Sequence, residues 1–252
     1  MTETTIEKRA NRRKLGMLIA EMVLIVLSIL LAFALDSWWD EQQDRRDEQA
    51  ILGALQDEFR ATQQVVTEYN GLNDEAIDCL ESFLEAIQAG SWQNEETVID
   101  LCLAYLILVP TPDAGSGVLN ALISSGRIEI LQSGALRIRL AQWASIFDEL
   151  LDDLVPSKGF AYDTVIPYLI DKGIPVISAF DAIKVPPARE GVPRESLADN
   201  PQMLADLLED PSFRSIVEIR LGIILHAQEE YRIVQQEIET ILEMLGSELS
   251  AR

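Results

Sequence analysis

Two cysteines, one histidine and several adjacent acids are the side chains whose types could do chemistry. Cys79 and Cys102 flank Gly90 almost symmetrically. Helical patterns run up to and away from that glycine, so in an antiparallel pair the two cysteines come to the same height. An oxidising compartment would join them in a disulfide; a reducing one would leave them as small buried hydrophobes. His226 is the single histidine and falls midway along the last predicted helix, beside Leu225 and Gln228. No C-x-x-C spacing occurs, and a satisfied helix histidine rather than a metal ligand is expected. Glu95-Glu96, Asp148-Glu149 and Asp152-Asp153 could attract a hard cation, but adjacent positions on a helix point in different directions, and a solvated face is expected. Ser116, between Gly115 and Gly117, lacks both the nucleophile elbow and a histidine base. No phosphate loop or dinucleotide fingerprint occurs. The expectation is therefore no enzyme, and no catalytic, cofactor-binding or metal-binding set.

The elements that must carry these residues begin with Leu15 to Leu35, LGMLIAEMVLIVLSILLAFAL. Twenty-one residues at 1.5 Å each make a helix of about 31 Å, matching a hydrocarbon core of about 30 Å. A transmembrane helix is predicted over 15–37, after a basic tail over 1–14. Lys8, Arg9, Arg12, Arg13 and Lys14 precede it, whereas Arg45 and Arg46 are the cations in the fifteen residues after Leu35. Positive charge resists translocation, so the N-terminus is expected in the cytoplasm and 38–252 outside it. Trp38 and Trp39 suit the far interface as anchors. Glu21, Ile25, Ser28, Ala32 and Leu35 share one stripe of the span. Small and polar residues on one face permit close helix approach, so self-association or a membrane-protein partner is the sharper reading of Glu21, and snorkelling to the headgroups the plainer one. Ala32-Phe33-Ala34 also fits a signal-peptidase site. The full-span length and the lack of a helix breaker before Ala32 favour an uncleaved anchor.

Charge separates tail from domain. The first 35 residues hold five basic side chains against three acidic ones, a balance of +2, so the net −22 of the chain leaves −24 for the remainder. Such a domain repels nucleic acid and anionic lipid surfaces. Beyond the span, Asp40 to Glu48 reads as a solvated, rigid stalk. Leu52, Leu55, Phe59, Thr62, Val66 and Tyr69 then repeat at steps of three and four. Gly71-Leu72-Asn73 is expected to break this helix, with Asn73 capping a second one to Ala89. Asn94-Glu95-Glu96-Thr97 caps a third, up to Pro110. Thr111–Gly117 reads as a loop, Val118–Ser124 as a short helix, Arg127–Leu131 as a turn or 3-10 connector, and Ala135–Leu154 as a helix. Prolines and glycines make 156–200 an irregular loop, though Tyr162–Ile170 could be helical. Pro201–Glu209 and a long helix from Pro211 to Leu245 close the chain, the latter long enough to pack along the first. The fold class is all-α: an N-terminal transmembrane helix continuing into an elongated antiparallel helical bundle.

The span and its exit, EMVLIVLSILLAFALDSWWDEQQDRRDEQAILGALQDEF, with the later ALISSGRIEIL segment and long closing helix, resemble an uncharacterised family of bacterial single-span proteins. Those carry a similar Glu, an Asn-Trp or Asp-Trp exit, a charged stalk and a Leu-x-Ser-Ser-Gly segment. The resemblance implies an uncleaved anchor in the bacterial inner membrane, with a periplasmic domain, and brings no activity with it. Function is expected to be that of a membrane-anchored interaction or scaffolding protein, its partners the bilayer and a second copy or another membrane protein. The alternative is an extracytoplasmic sensor or small-ligand bundle, which would have to signal through a membrane partner because fourteen tail residues hold no output domain.

Overall fold

A computed structural model describes residues 3–92, 98–113, 115–176, 178–179 and 195–250, without the side chains of 3–21 and 23. The described chain is helical and contains no strand. Its helices are α1 (Glu3–Ala89), α2 (Val98–Ile107), α3 (Gly117–Ser124), α4 (Gly134–Phe160), α5 (Ile166–Asp171), α6 (Pro201–Glu209) and α7 (Pro211–Ser250). Two compact units divide it, Met1–Gly53 and Ala54–Arg252.

The first unit is helix throughout its described length. From Leu24 to Leu35 every residue is exposed, whichever side of the helix it occupies. Among the described residues no helix is long and apolar enough to cross a membrane. The predicted span lies partly outside them, since nothing is described of the side chains of 15–21 and 23.

In the second unit α1 buries one stripe: Leu55, Phe59, Thr62, Val66, Asn73, Ala76, Leu80 and Phe83. This is the three-and-four spacing that keeps one face of a helix against a core. The predicted break at Gly71 does not occur. Glycine costs a helix interior only about 1 kcal/mol, and the apolar stripe on both sides outweighs it. Asn73 is consequently a buried mid-helix residue rather than a cap, and its amide nitrogen has no hydrogen-bond partner. Gly90 does end α1: its φ of 71° suits the left-handed closing position, and Ser91 N–H reaches back to the Ala86 carbonyl at 3.1 Å. The predicted cap at 94–97 lies outside the described residues.

Helix α7 is the spine of this unit. Gln56 lies beside Gly246, Gln228 donates to Asp74, and Phe83 meets Phe213 edge-on at 5.2 Å, so α1 and α7 run antiparallel. Helix α4 is also antiparallel to α7: Arg139 pairs with Glu237 at 3.1 Å near one end, and Ser157 meets Arg220 near the other. Phe59 of α1 packs edge-on against Trp143 of α4 at 5.1 Å. Short α3 is held to α1 by Glu58, whose carboxylate accepts from Val118 N–H at 2.6 Å and Leu119 N–H at 3.1 Å. A carboxylate there satisfies orphan donors and favours the positive helix end.

The irregular loop expected over 156–200 is helical as far as Asp171. Pro156 is carried inside α4. The chain then widens into a π turn, Ala161–Val165, where Ile166 N–H bonds the Ala161 carbonyl five residues back. Pro167 follows, with no N–H to donate and a ring that crowds the carbonyl four residues before it. Widening the turn accommodates it without ending the helix. Residues 177 and 180–194 lie outside the described part.

Cys79 of α1 and Cys102 of α2 form a disulfide, their Cα atoms 4.9 Å apart. It closes a loop of 23 residues, for which the chain-entropy estimate is about 3 kcal/mol. A Cys79→Ser, Cys102→Ser chain is expected to melt roughly 10 °C lower than the oxidised protein, at about 2–4 °C per kcal/mol for a domain of this size. Thermal unfolding by circular dichroism checks this; superimposable melting curves would show that the crosslink carries no stability.

Candidate functional site

The first sequence-predicted site is the membrane contact face. Ile25 and Leu35 are exposed by 53% and 57%, and Ser28 and Ala32 are exposed with them. The Ser28 hydroxyl donates to the Leu24 carbonyl at 2.7 Å, which satisfies it within its own helix. The side chain of Glu21 lies outside the described residues. Trp38 and Trp39 are both exposed, one turn beyond the apolar run.

A site that sequence reasoning missed is Arg220. It is 1% exposed, yet among the described residues its guanidinium makes three hydrogen bonds. Nε donates to the Tyr105 carbonyl at 3.5 Å, Nη1 to the Ser157 hydroxyl at 2.5 Å, and Nη2 to the Leu108 carbonyl. Burial pushes the guanidinium down to about 10, which leaves it charged at neutral pH. Both carbonyls belong to the C-terminal end of α2, where unpaired carbonyls and the negative helix end await a cation. The signal was present: Phe213, Val217, Arg220 and Ile224 follow the buried spacing of α7, so a cation stood at a core position. Nearby, Tyr231 donates to the Pro110 carbonyl at 3.3 Å, and Tyr105 donates to Glu75. Burial, more than the adjacent carboxylate, pushes the Tyr105 phenol up.

A third group joins α4 to α7. Asp153 of α4 and His226 and Glu230 of α7 bring one donor atom each within 4.8 Å of one another. His226 Nε2 lies 3.5 Å from Asp153 Oδ2. The H-x-x-x-E spacing of His226 and Glu230 can be read in the sequence, but Asp153 is supplied by tertiary packing. Two hollows open to solvent have room for a small ligand, one of about 300 Å³ walled by Trp92, Ile99, Leu204 and Leu208 and one of about 440 Å³ beside Lys172, Asn200 and Asp206.

At the head of α7, Asp210 accepts from Lys172 at 2.7 Å, from Ser212 N–H at 2.7 Å and from the Tyr168 hydroxyl at 3.1 Å. The Lys172 ammonium, then the Ser212 N–H, hold its carboxyl down to about 2.

Comparison of the chain with protein-family models, with curated proteins and with solved structures finds no match in any of the three.

Because the folded carboxyl of Asp210 titrates below the ordinary aspartate value, its stabilisation is fully present above about pH 4 and is lost as pH falls towards 2. Asp210→Asn keeps a good helix cap but removes the charge. The melting temperature of wild type is expected to exceed that of Asp210→Asn by the most near neutral pH, with the gap closing between pH 4 and 2. A gap that stays constant over that range would show that the charge contributes nothing.

Proposed function

We propose that the chain is a membrane-anchored helical interaction or scaffolding module of the bacterial cell envelope, without catalytic activity. The observation that carries this reading is the run of ten large apolar side chains, Met22, Leu24–Leu27, Ile29–Leu31, Phe33 and Leu35, each at least half exposed. Full burial of such a side chain is worth about 1.5–3 kcal/mol, so leaving them in water forgoes on the order of 10–20 kcal/mol. That rivals the whole stability of a folded domain. A membrane is the covering that suits apolar surface on every side of one helix, and Leu15–Ala20 extends the run to spanning length. The five cations of Lys8–Lys14 keep the N-terminus cytoplasmic, and the acidic domain lies in the periplasm. A Cys79–Cys102 disulfide accords with that oxidising compartment. Ile25, Ser28, Ala32 and Leu35 form the face for a second membrane helix. With the Ser28 hydroxyl bonded to its own backbone, association there rests on close packing more than on interhelical hydrogen bonds.

Expressed in a bacterium, the full chain is expected to stay in the membrane pellet through an alkaline carbonate wash. A Leu27→Arg, Leu30→Arg variant adds about 5–7 kcal/mol to the cost of insertion and is expected to move largely to the supernatant. Recovery of the wild-type chain in the supernatant would overturn the anchor.

A further inference from the structure

The geometry points to a divalent transition-metal site of the zinc class at Asp153, His226 and Glu230, bridging α4 and α7. His226 and Glu230 stand four residues apart on α7, so their side chains rise from one face of the helix, one turn above the other. Asp153 reaches the same point from the antiparallel α4, and its carboxylate already faces the imidazole at 3.5 Å. The three donor atoms lie within 4.8 Å of one another. Bonds of about 2.0–2.2 Å from nitrogen and oxygen to zinc hold neighbouring donors roughly 3–4 Å apart. The difference is within the reach of side-chain rotation, because His226 is two-thirds exposed and Asp153 and Glu230 are half-buried. The helices need not move.

The donor set decides the class of ion. One imidazole with two carboxylates presents a nitrogen and two charged oxygens, a combination that suits zinc and its first-row neighbours. Calcium and magnesium prefer oxygen throughout, and calcium takes six to eight such ligands. Two carboxylates against a dication leave the site neutral. The chain's net charge of −22 raises the concentration of cations near its surface. Three protein ligands also leave a coordination position for water or for a donor from a partner. Two of the ligands come from one helix and the third from its neighbour, so an ion would clamp α4 to α7 beside the Ser157–Arg220 contact.

The test uses the full chain in detergent micelles, stripped of metal and titrated with zinc chloride by isothermal calorimetry, with thermal unfolding in parallel. One zinc per chain is expected, with unfolding raised by about 5–10 °C when zinc is a hundredfold above its dissociation constant. Calcium chloride at the same concentration is expected to leave the midpoint unchanged. His226→Ala is expected to bind zinc at least tenfold more weakly and to lose most of the zinc-induced rise. Since His226 is exposed, that variant should keep the metal-free melting temperature. Glu230→Gln supplies an independent check, with the same losses expected. Undiminished zinc affinity in both variants, or an equal shift from calcium, would overturn the assignment and place cation binding on the general acidic surface.

Discussion

A buried cation with neutral partners governs the second unit. Arg220 sits in the apolar face of α7, and among the described residues its hydrogen bonds go to two backbone carbonyls and a hydroxyl. Removing a guanidinium from water costs several kcal/mol unless its donors are satisfied and its charge is answered. Here the answer comes from the C-terminal end of α2, whose last carbonyls lack intrahelical donors and whose dipole is negative. The rigid fork of the guanidinium spans three acceptors that a single ammonium could not serve together. Through Arg220 the spine α7 is fixed to α2 on one side and to Ser157 of α4 on the other. The disulfide then fixes α2 to α1. Four helices are thereby tied at one level of the bundle by one side chain and one covalent bond.

Helix α1 meets two different surroundings along its length. Between Leu55 and Phe83 it is apolar on one stripe and packs against protein. Between Met22 and Leu35 its described side chains, Ser28 apart, are apolar, and they are exposed on every side. The composition, rather than the backbone, marks the change. A one-sided stripe packs against a neighbouring helix, whereas a helix apolar all round belongs to a protein core or to a membrane.

Much of the second unit could be read from the chain, because its helix ends use local chemistry. Gly90 and the Asp210-Pro211 start announce themselves, and the symmetric placement of Cys79 and Cys102 about Gly90 located their pairing. The 3-10 connector over Arg127–Ile130 also lies where the sequence suggested a tight turn. What stayed hidden depends on non-local packing. Gly71 and Asn73 have the local chemistry of a break, but a core stripe on both sides carries α1 through them. Pro156 and Pro167 look like stops, and a π turn absorbs the second. Arg220 could have been found as a charge out of place in an apolar period, although nothing local names its acceptors. Asp153 comes to His226 only once α4 lies antiparallel on α7, so spacing alone could reveal two donors and not the third.

The dependence of the bundle on Arg220 is measured most directly by chemical unfolding of the full chain in detergent, comparing wild type with Arg220→Met. Methionine fills a similar volume and carries no desolvation penalty, but it leaves the Tyr105 and Leu108 carbonyls and the Ser157 hydroxyl without their donor. At about 1–3 kcal/mol for each buried polar group left unpaired, a loss of about 3–5 kcal/mol is predicted. A methionine variant as stable as wild type, or more so, would contradict the account, because the buried arginine would then be a tolerated charge rather than the contact that holds α2, α4 and α7 together.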